Sequence, residues 1–348
     1  MRHILILIMF MAWIPYASSQ KLLSPTEGIY HGSFPDMGPT EDVVTIERIK
    51  EFENLAGKET AWVYFSDNWF DGIKFPMIKA EAIRDAGSVP FIRMMPRSDW
   101  DGYKQDPNYS MQNIIDGKYD LELHQYARDA KGYGSPLLIE FGTEVNGDWF
   151  PWNGAYNGGG QKDGYGDPEK PDGSERFVAA YRHIIDIFRK EQADNVTWFY
   201  HVNATTYPED YWNRMKAYYP GDEYIDWIGV SVYGPQTPSD GWKTFTDVMD
   251  DNYRELEEIT PNKPIALVEF GTIDPGEGHS KAEWIDNALT SITSNRYPRI
   301  KAISYWHSKW ENDGVVSNMR LDSTPESIKT YRELINSPIF LPELYFSK

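Results

Sequence analysis

Two glutamates at the ends of apolar runs are the residues of this sequence best placed to do chemistry. Glu144 follows Pro136-Leu-Leu-Ile-Glu-Phe-Gly-Thr and opens a polar stretch, Val-Asn-Gly-Asp-Trp-Phe-Pro-Trp, that ends at Trp152. Glu269 follows Pro264-Ile-Ala-Leu-Val and precedes Phe-Gly-Thr. Each run is short, apolar and strand-like, and each brings a carboxyl group to a glycine turn. Two carboxyl groups on separate strands are what cleavage of a glycosidic bond requires. One protonates the departing oxygen while the other attacks the anomeric carbon or activates water. At a separation of about 5–5.5 Å the second attacks directly, and the anomeric configuration is retained. Glu144 must then hold a proton, raised by burial or by its partner's charge, and Glu269 must be ionised. A lone strand-end glutamate is often structural; two at matching positions point to catalysis.

The other strand ends carry groups that suit a sugar. Trp69, Trp149, Trp152, Trp306 and Trp310 offer indole faces on which a sugar ring can stack. Tyr233 and Asn203 can donate hydrogen bonds to the nucleophile or to a sugar hydroxyl. His201 is a candidate for binding substrate or for satisfying local polar groups, and Arg93 for binding substrate or for an ion pair inside the fold. No cofactor is expected, and no metal, since no His-Glu-x-x-His spacing occurs. No Gly-x-Ser-x-Gly elbow occurs either.

The elements that must position these groups alternate along the chain. Strand-like runs fall at 28–34, 61–65, 88–95, around Glu144, at 196–203, 227–233, around Glu269 and at 300–306. Helical spacing fills the intervals at 40–55, 75–86, 111–117 with 121–133, 175–192, 211–218, 242–259, 281–293 and 324–335. Ser323-Thr-Pro supplies the last helix with a cap and a first-turn proline. Asn153 to Gly173 is a Gly/Asn/Asp-rich loop too long for a mere connector, and it is expected to shape a cleft. Eight strands rich in Val, Ile, Phe and Trp, alternating with helices and undivided by a linker, predict a single α/β domain, a (β/α)8 TIM barrel. The rival, a doubly wound sheet, lacks a Gly-rich phosphate turn. In the barrel, strands four and seven lie across the mouth from each other, so the two glutamates face one another.

With 348 residues, 41% of them hydrophobic, the chain can bury one large core. A net charge of −19 argues against a nucleic-acid partner, which needs a basic face. The absence of cysteine excludes disulfides, thiolate catalysis and thiolate metal sites. Residues 1–20 read as a signal peptide: Met-Arg-His, an apolar run from Ile4 to Ile14, then small residues near Ser19. The mature domain would span 21–348, secreted or periplasmic, without a membrane span after cleavage, and monomeric.

These residues carry a resemblance. Glu144-Val-Asn-Gly-Asp-Trp-Phe-Pro-Trp152 is similar to the segment His-Glu-Met-Asn-Gly-x-Trp-Phe-x-Trp of the mannanase-type family 26 glycoside hydrolases. Val268-Glu269-Phe-Gly271 resembles that family's nucleophile strand. Asp226-Trp-Ile-Gly-Val-Ser-Val-Tyr233 resembles its sixth strand, and Ser317 to Glu326 its approach to the last helix. The resemblance implies a retaining barrel enzyme with Glu144 as acid/base, Glu269 as nucleophile, Trp149 stacking on sugar and Tyr233 orienting the nucleophile. Two positions depart from the pattern. Thr143 stands where histidine is usual before the acid/base, and Ser231 where aspartate is usual two residues before the tyrosine. The expectation is an endo-acting polysaccharide hydrolase, with β-1,4-mannan the leading substrate and β-1,3-xylan or mixed-linkage β-glucan behind it. A non-catalytic glycan-binding protein is the alternative from another class.

Overall fold

The computed structural model describes residues 20–99, 105–276, 278–312 and 314–348. The expected signal segment therefore lies outside the described residues except for Gln20. Eight parallel strands form the centre: β1 (Ile29–Phe34), β2 (Trp62–Asn68), β3 (Val89–Met95), β4 (Leu137–Phe141), β5 (Val196–Asn203), β6 (Trp227–Tyr233), β7 (Ile265–Gly271) and β8 (Ile300–Trp306). Each pairs with the next, and Tyr30–Phe34 of β1 pairs with Ala302–Trp306 of β8. The sheet thus closes into a single (β/α)8 barrel, which excludes the open doubly wound arrangement.

Helices α1 (Ile46–Ala56), α2 (Met77–Asp85), α3 (Met111–Ile115), α4 (Asp120–Tyr133), α5 (Asp172–Glu191), α6 (Phe245–Ile259), α7 (Lys281–Thr293) and α8 (Pro325–Ile335) pack around it. Their starts follow from local chemistry. Thr45 accepts the Arg48 amide, so α1 begins later than its apolar spacing predicts. Thr244 and Asp247 form a reciprocal capping box on α6. Thr324 caps α8, whose first residue is Pro325. The helix expected at 211–218 is instead two 3₁₀ turns, Tyr211–Asn213 and Met215–Tyr218, separated by an extended Arg214. The side chain of Asn213 is committed there to the carbonyls of Asn146 and Pro208, which fixes a loop in place of a continuous helix. A hairpin of β9 (Lys309–Asn312) and β10 (Val315–Asn318) follows β8, and a two-residue strand, β11 (Phe340–Leu341), joins β1 beside Ile29 and Tyr30. Neither is predicted by the sequence pattern.

The barrel interior is aromatic. Trp62, Phe91, Phe199 and Trp227 form a continuous set of ring contacts with centroids 4.5–5.8 Å apart. Gly32 of β1 makes room for it, since a Cβ at that position would sit 2.2 Å from the Trp62 indole nitrogen. Such rigid, dry packing below the strand ends holds the groups above it in fixed positions. Among the described residues no helix is long and apolar enough to cross a membrane.

Candidate active site

Glu144 lies three residues beyond β4. The chain turns at Gly142 (φ +65°) and again at Glu144 itself (φ +49°). A non-glycine residue in this left-handed region carries a strain of about 1–3 kcal/mol, a cost that clusters at functional sites. The surrounding bonds enforce it: the Gly147 amide donates back to the Glu144 carbonyl at 2.9 Å. The carboxyl is then gripped on both oxygens. Asn203 Nδ2, at the end of β5, donates to Oε1 at 2.9 Å, and Trp149 Nε1 donates to Oε2 at 2.7 Å. Gly147 permits the second contact, because a Cβ there would stand 2.1 Å from the Trp149 ring. Asn146 links the two loops, donating to the Asn203 carbonyl and accepting from the Asn203 amide.

Glu269 is delivered by a bulge. Val230 of β6 is in register with Leu267, whereas the next residue, Ser231, is in register with Glu269, so Val268 is extra. Such bulges re-aim a side chain at a strand end. Tyr233 donates to Oε2 at 2.8 Å, while Oε1 meets Arg93 Nη2 at 3.2 Å and the Tyr64 hydroxyl at 3.3 Å. Burial pushes the Glu269 carboxyl up to about 7, against the pull of Arg93, and the charge of Glu144 adds to the rise. Tyr233 is raised well above its ordinary value by burial and by Glu269, so it stays a hydrogen-bond donor. The rise at Glu269 comes first from its burial, which is not visible in a sequence.

The two carboxyls line one open cleft of about 1060 Å³, at the upper end of the volumes that small-molecule sites occupy. Trp149, 42% exposed, and the half-buried Trp310 of β9 present indole surface there, with Phe150 and Tyr207. Trp306 lines the floor, but one face stacks on Phe34 at 3.6 Å and the Arg93 guanidinium lies 5.2 Å from its centroid, so little surface is free. Trp69 and Trp152, expected among the sugar-binding groups, are fully buried instead. Trp69 packs on Tyr109 and Phe141, and Trp152 donates to the Thr143 carbonyl and stacks beneath Phe150. Neither has a face left for a ligand. His201 is buried too, bonded to protein groups rather than open to the cleft. Arg93 pairs with Glu269 and Glu41 and acts on the charge of Glu269.

Three groups at the site escape sequence reasoning. Glu140 sits on β4 in register with Arg93, fully buried, accepting from the Tyr64 hydroxyl and from His201 Nδ1 at 3.0 Å. Its signal was present: a charge inside a doubly buried strand must be partnered. Tyr64 reads simply as a core aromatic, and Glu41, which meets Arg93 at 2.9 Å, lies in a stretch with no motif.

Residues 105–274 match the model of glycosyl hydrolase family 26. Over this stretch the chain is similar to family 26. It is 30% identical over 323 residues to endoglucanase H of Acetivibrio thermocellus, an alignment that covers 92% of this chain and 32% of the relative. It is 22% identical over 269 residues to the β-1,3-xylanase TXYA of a Vibrio species, covering 67% of this chain and 51% of that protein. The chain thus spans a third to a half of these relatives' length. The catalytic domain of the family 26 endo-β-1,4-mannanase from Bacillus sp. JAMB-750 shares the fold, with a TM-score of 0.65 at 18% identity over 90% of this chain and 87% of that one. Against the family pattern, both glutamates stand at the expected strand ends, and the two departures, Thr143 and Ser231, are both bonded to His201.

Proposed function

We propose that the protein is a retaining, endo-acting β-glycoside hydrolase in which Glu269 attacks the anomeric carbon and Glu144 first protonates the leaving oxygen, then deprotonates water. The observation that carries the reading is the pair of carboxyls at one open cleft, each held by a dedicated set of donors. Arg93 and Tyr233 aim positive charge and hydrogen at Glu269, as an anionic nucleophile needs. Asn203 and Trp149 fix Glu144 at the cleft wall, where a leaving group would lie. An open cleft rather than a blind pocket suits attack within a long chain.

For the backbone sugar we assign a β-glucan with β-1,4 linkages, mixed-linkage glucan included. The relative aligned over most of the chain is named an endoglucanase, and Thr143 and Ser231 depart from the mannanase pattern. β-1,4-Mannan is the second reading, favoured by the Asn-Gly-Asp-Trp-Phe-Pro-Trp segment after the acid/base. Hydrolysis of mixed-linkage β-glucan, β-1,4-mannan and β-1,3-xylan, with products sized, tests this. Faster release of short oligomers from glucan is expected, and a preference for mannan would transfer the assignment. No hydrolysis together with glycan binding would make the chain a binder. The basic and apolar start supports export, with cleavage near Ser19, and N-terminal sequencing of protein from the host is the check.

A further inference from the structure

His201 has more partners than a packing histidine needs. Nδ1 lies 2.7 Å from the Thr143 hydroxyl and 3.0 Å from Glu140 Oε1, with the Tyr64 hydroxyl at 3.3 Å; Nε2 lies 2.8 Å from the Ser231 hydroxyl. The two hydroxyl partners are not arbitrary. Thr143 immediately precedes Glu144, and Ser231 is the residue of β6 in register with Glu269. One imidazole therefore spans, through two short bonds, the residues that adjoin the two carboxyl-bearing positions.

We infer that His201 is a positioning residue: it ties the Glu144 turn to the Glu269 bulge and, held as an imidazolium by Glu140, sets the charge balance of the nucleophile. The inference rests on the glycoside hydrolase reading of the same site. An imidazolium donates from both nitrogens, so Nδ1–H is shared by the Thr143 hydroxyl and the Glu140 carboxylate, and Nε2–H serves the Ser231 hydroxyl. The groups facing the ring from neighbouring elements agree. Glu140 on β4, Glu144 just beyond it and Glu269 on β7 supply negative charge; the Tyr64 hydroxyl on β2 donates to Glu140; Arg93 on β3 is shared by Glu269 and Glu140. Burial opposes a charge on His201, yet Glu140 prevails and its pKa is raised. In return, positive charge on His201 draws the Glu269 pKa down, favouring the attacking anion.

The test has two parts. In ¹⁵N-histidine NMR of the full unsubstituted chain, one buried histidine should keep imidazolium shifts across neutral pH, and Glu140→Gln should convert that signal to neutral imidazole. In kinetics on the polysaccharide that the wild type cleaves best, His201→Asn should lower kcat by roughly 10–100-fold with KM little changed, since small misplacement costs this much. The acid limb of kcat/KM should move up by about one pH unit. A merely structural histidine would lower activity through lost folded protein and leave the limb in place. Neutral shifts for every buried histidine near pH 7, or an unmoved acid limb in an active His201→Asn enzyme, would overturn the inference. A wild type that cleaves no glycan would instead overturn the hydrolase reading, a result that the NMR titration keeps separate.

Discussion

The ends of β4 and β7 present the same group, a glutamate carboxyl, in two environments, and the contrast underlies the roles proposed for them. Beyond β4 the backbone is strained at Glu144, and the carboxyl sits on the cleft wall between an amide and an indole N–H. In β7 the backbone bulges, and the Glu269 carboxyl is sunk among Arg93, Tyr233 and Tyr64. Two neutral donors at a wall fit a group that must gain and lose a proton during each turnover. A guanidinium and a phenol in a dry site fit a group that must carry negative charge and attack without reorganising. The strand ends are equivalent in sequence pattern; their neighbours make them different.

The largest test of this contrast is deletion of each carboxyl. Glu269→Ala should abolish turnover on every substrate, by on the order of 10⁴–10⁶-fold, because no glycosyl-enzyme can form. Glu144→Ala should cost about 10²–10⁴-fold on polysaccharide but far less in the first step on an activated aryl glycoside, whose leaving group needs no proton. Azide should partly restore Glu144→Ala by attacking the glycosyl-enzyme without a base, and leave Glu269→Ala inactive. Equal losses on both substrates for both variants would erase the distinction.

Arg93→Met comes next. It leaves Glu269, Glu140 and Glu41 facing one another without their shared cation, so stability should fall by about 3–5 kcal/mol in denaturant unfolding. The sign of its kinetic effect follows from the charge. Glu269 attacks only when ionised and is raised from 4.5 to about 7, so kcat/KM should climb as pH rises through about 7 in the unsubstituted protein. Arg93 lowers that pKa; its loss raises it further, and the acid limb should move to higher pH. A limb unmoved by Arg93→Met would remove the cation from the account of the nucleophile.

Smaller effects sharpen the other end. Trp149→Phe keeps an aromatic ring and deletes one hydrogen bond to Glu144; a loss of up to about tenfold in kcat/KM is expected, matching a single hydrogen bond of about 0.5–1.5 kcal/mol. Trp310→Ala removes a rim indole and should raise KM by a few-fold with kcat preserved, in line with about 0.5–1.5 kcal/mol for an aromatic contact. A change confined to kcat in Trp310→Ala would place it nearer the reacting centre than the cleft rim.

The barrel was legible because its strands are apolar runs of the right length at the right spacing, bounded by turns and alternating with helical periodicity. The ranges of β5, β6, β8 and α7 follow directly. The hairpin of β9 and β10 was not legible: its exposed alternation around Gly314 is too short to stand out beside β8. Both catalytic candidates and their immediate partners, Tyr233 and Asn203, could be read from strand ends. The burial of Trp69 and Trp152 could not, since an indole reads alike in a core and in a cleft. Glu140 and His201 show the same limit from the polar side, because their importance lies in distances between β4, β5 and β6 that no local pattern encodes.

The central claim, that Glu269 is the nucleophile of a double displacement, is tested most directly by trapping. A 2-deoxy-2-fluoro glycoside with an activated leaving group, matched to the preferred sugar, slows hydrolysis of the intermediate so that it accumulates. Peptide mapping by mass spectrometry should find the fluorosugar esterified to Glu269 alone, and NMR of early products from the natural polymer should show the β anomer. A label on Glu144 or Glu140, or an α product from the first turnover, would contradict it.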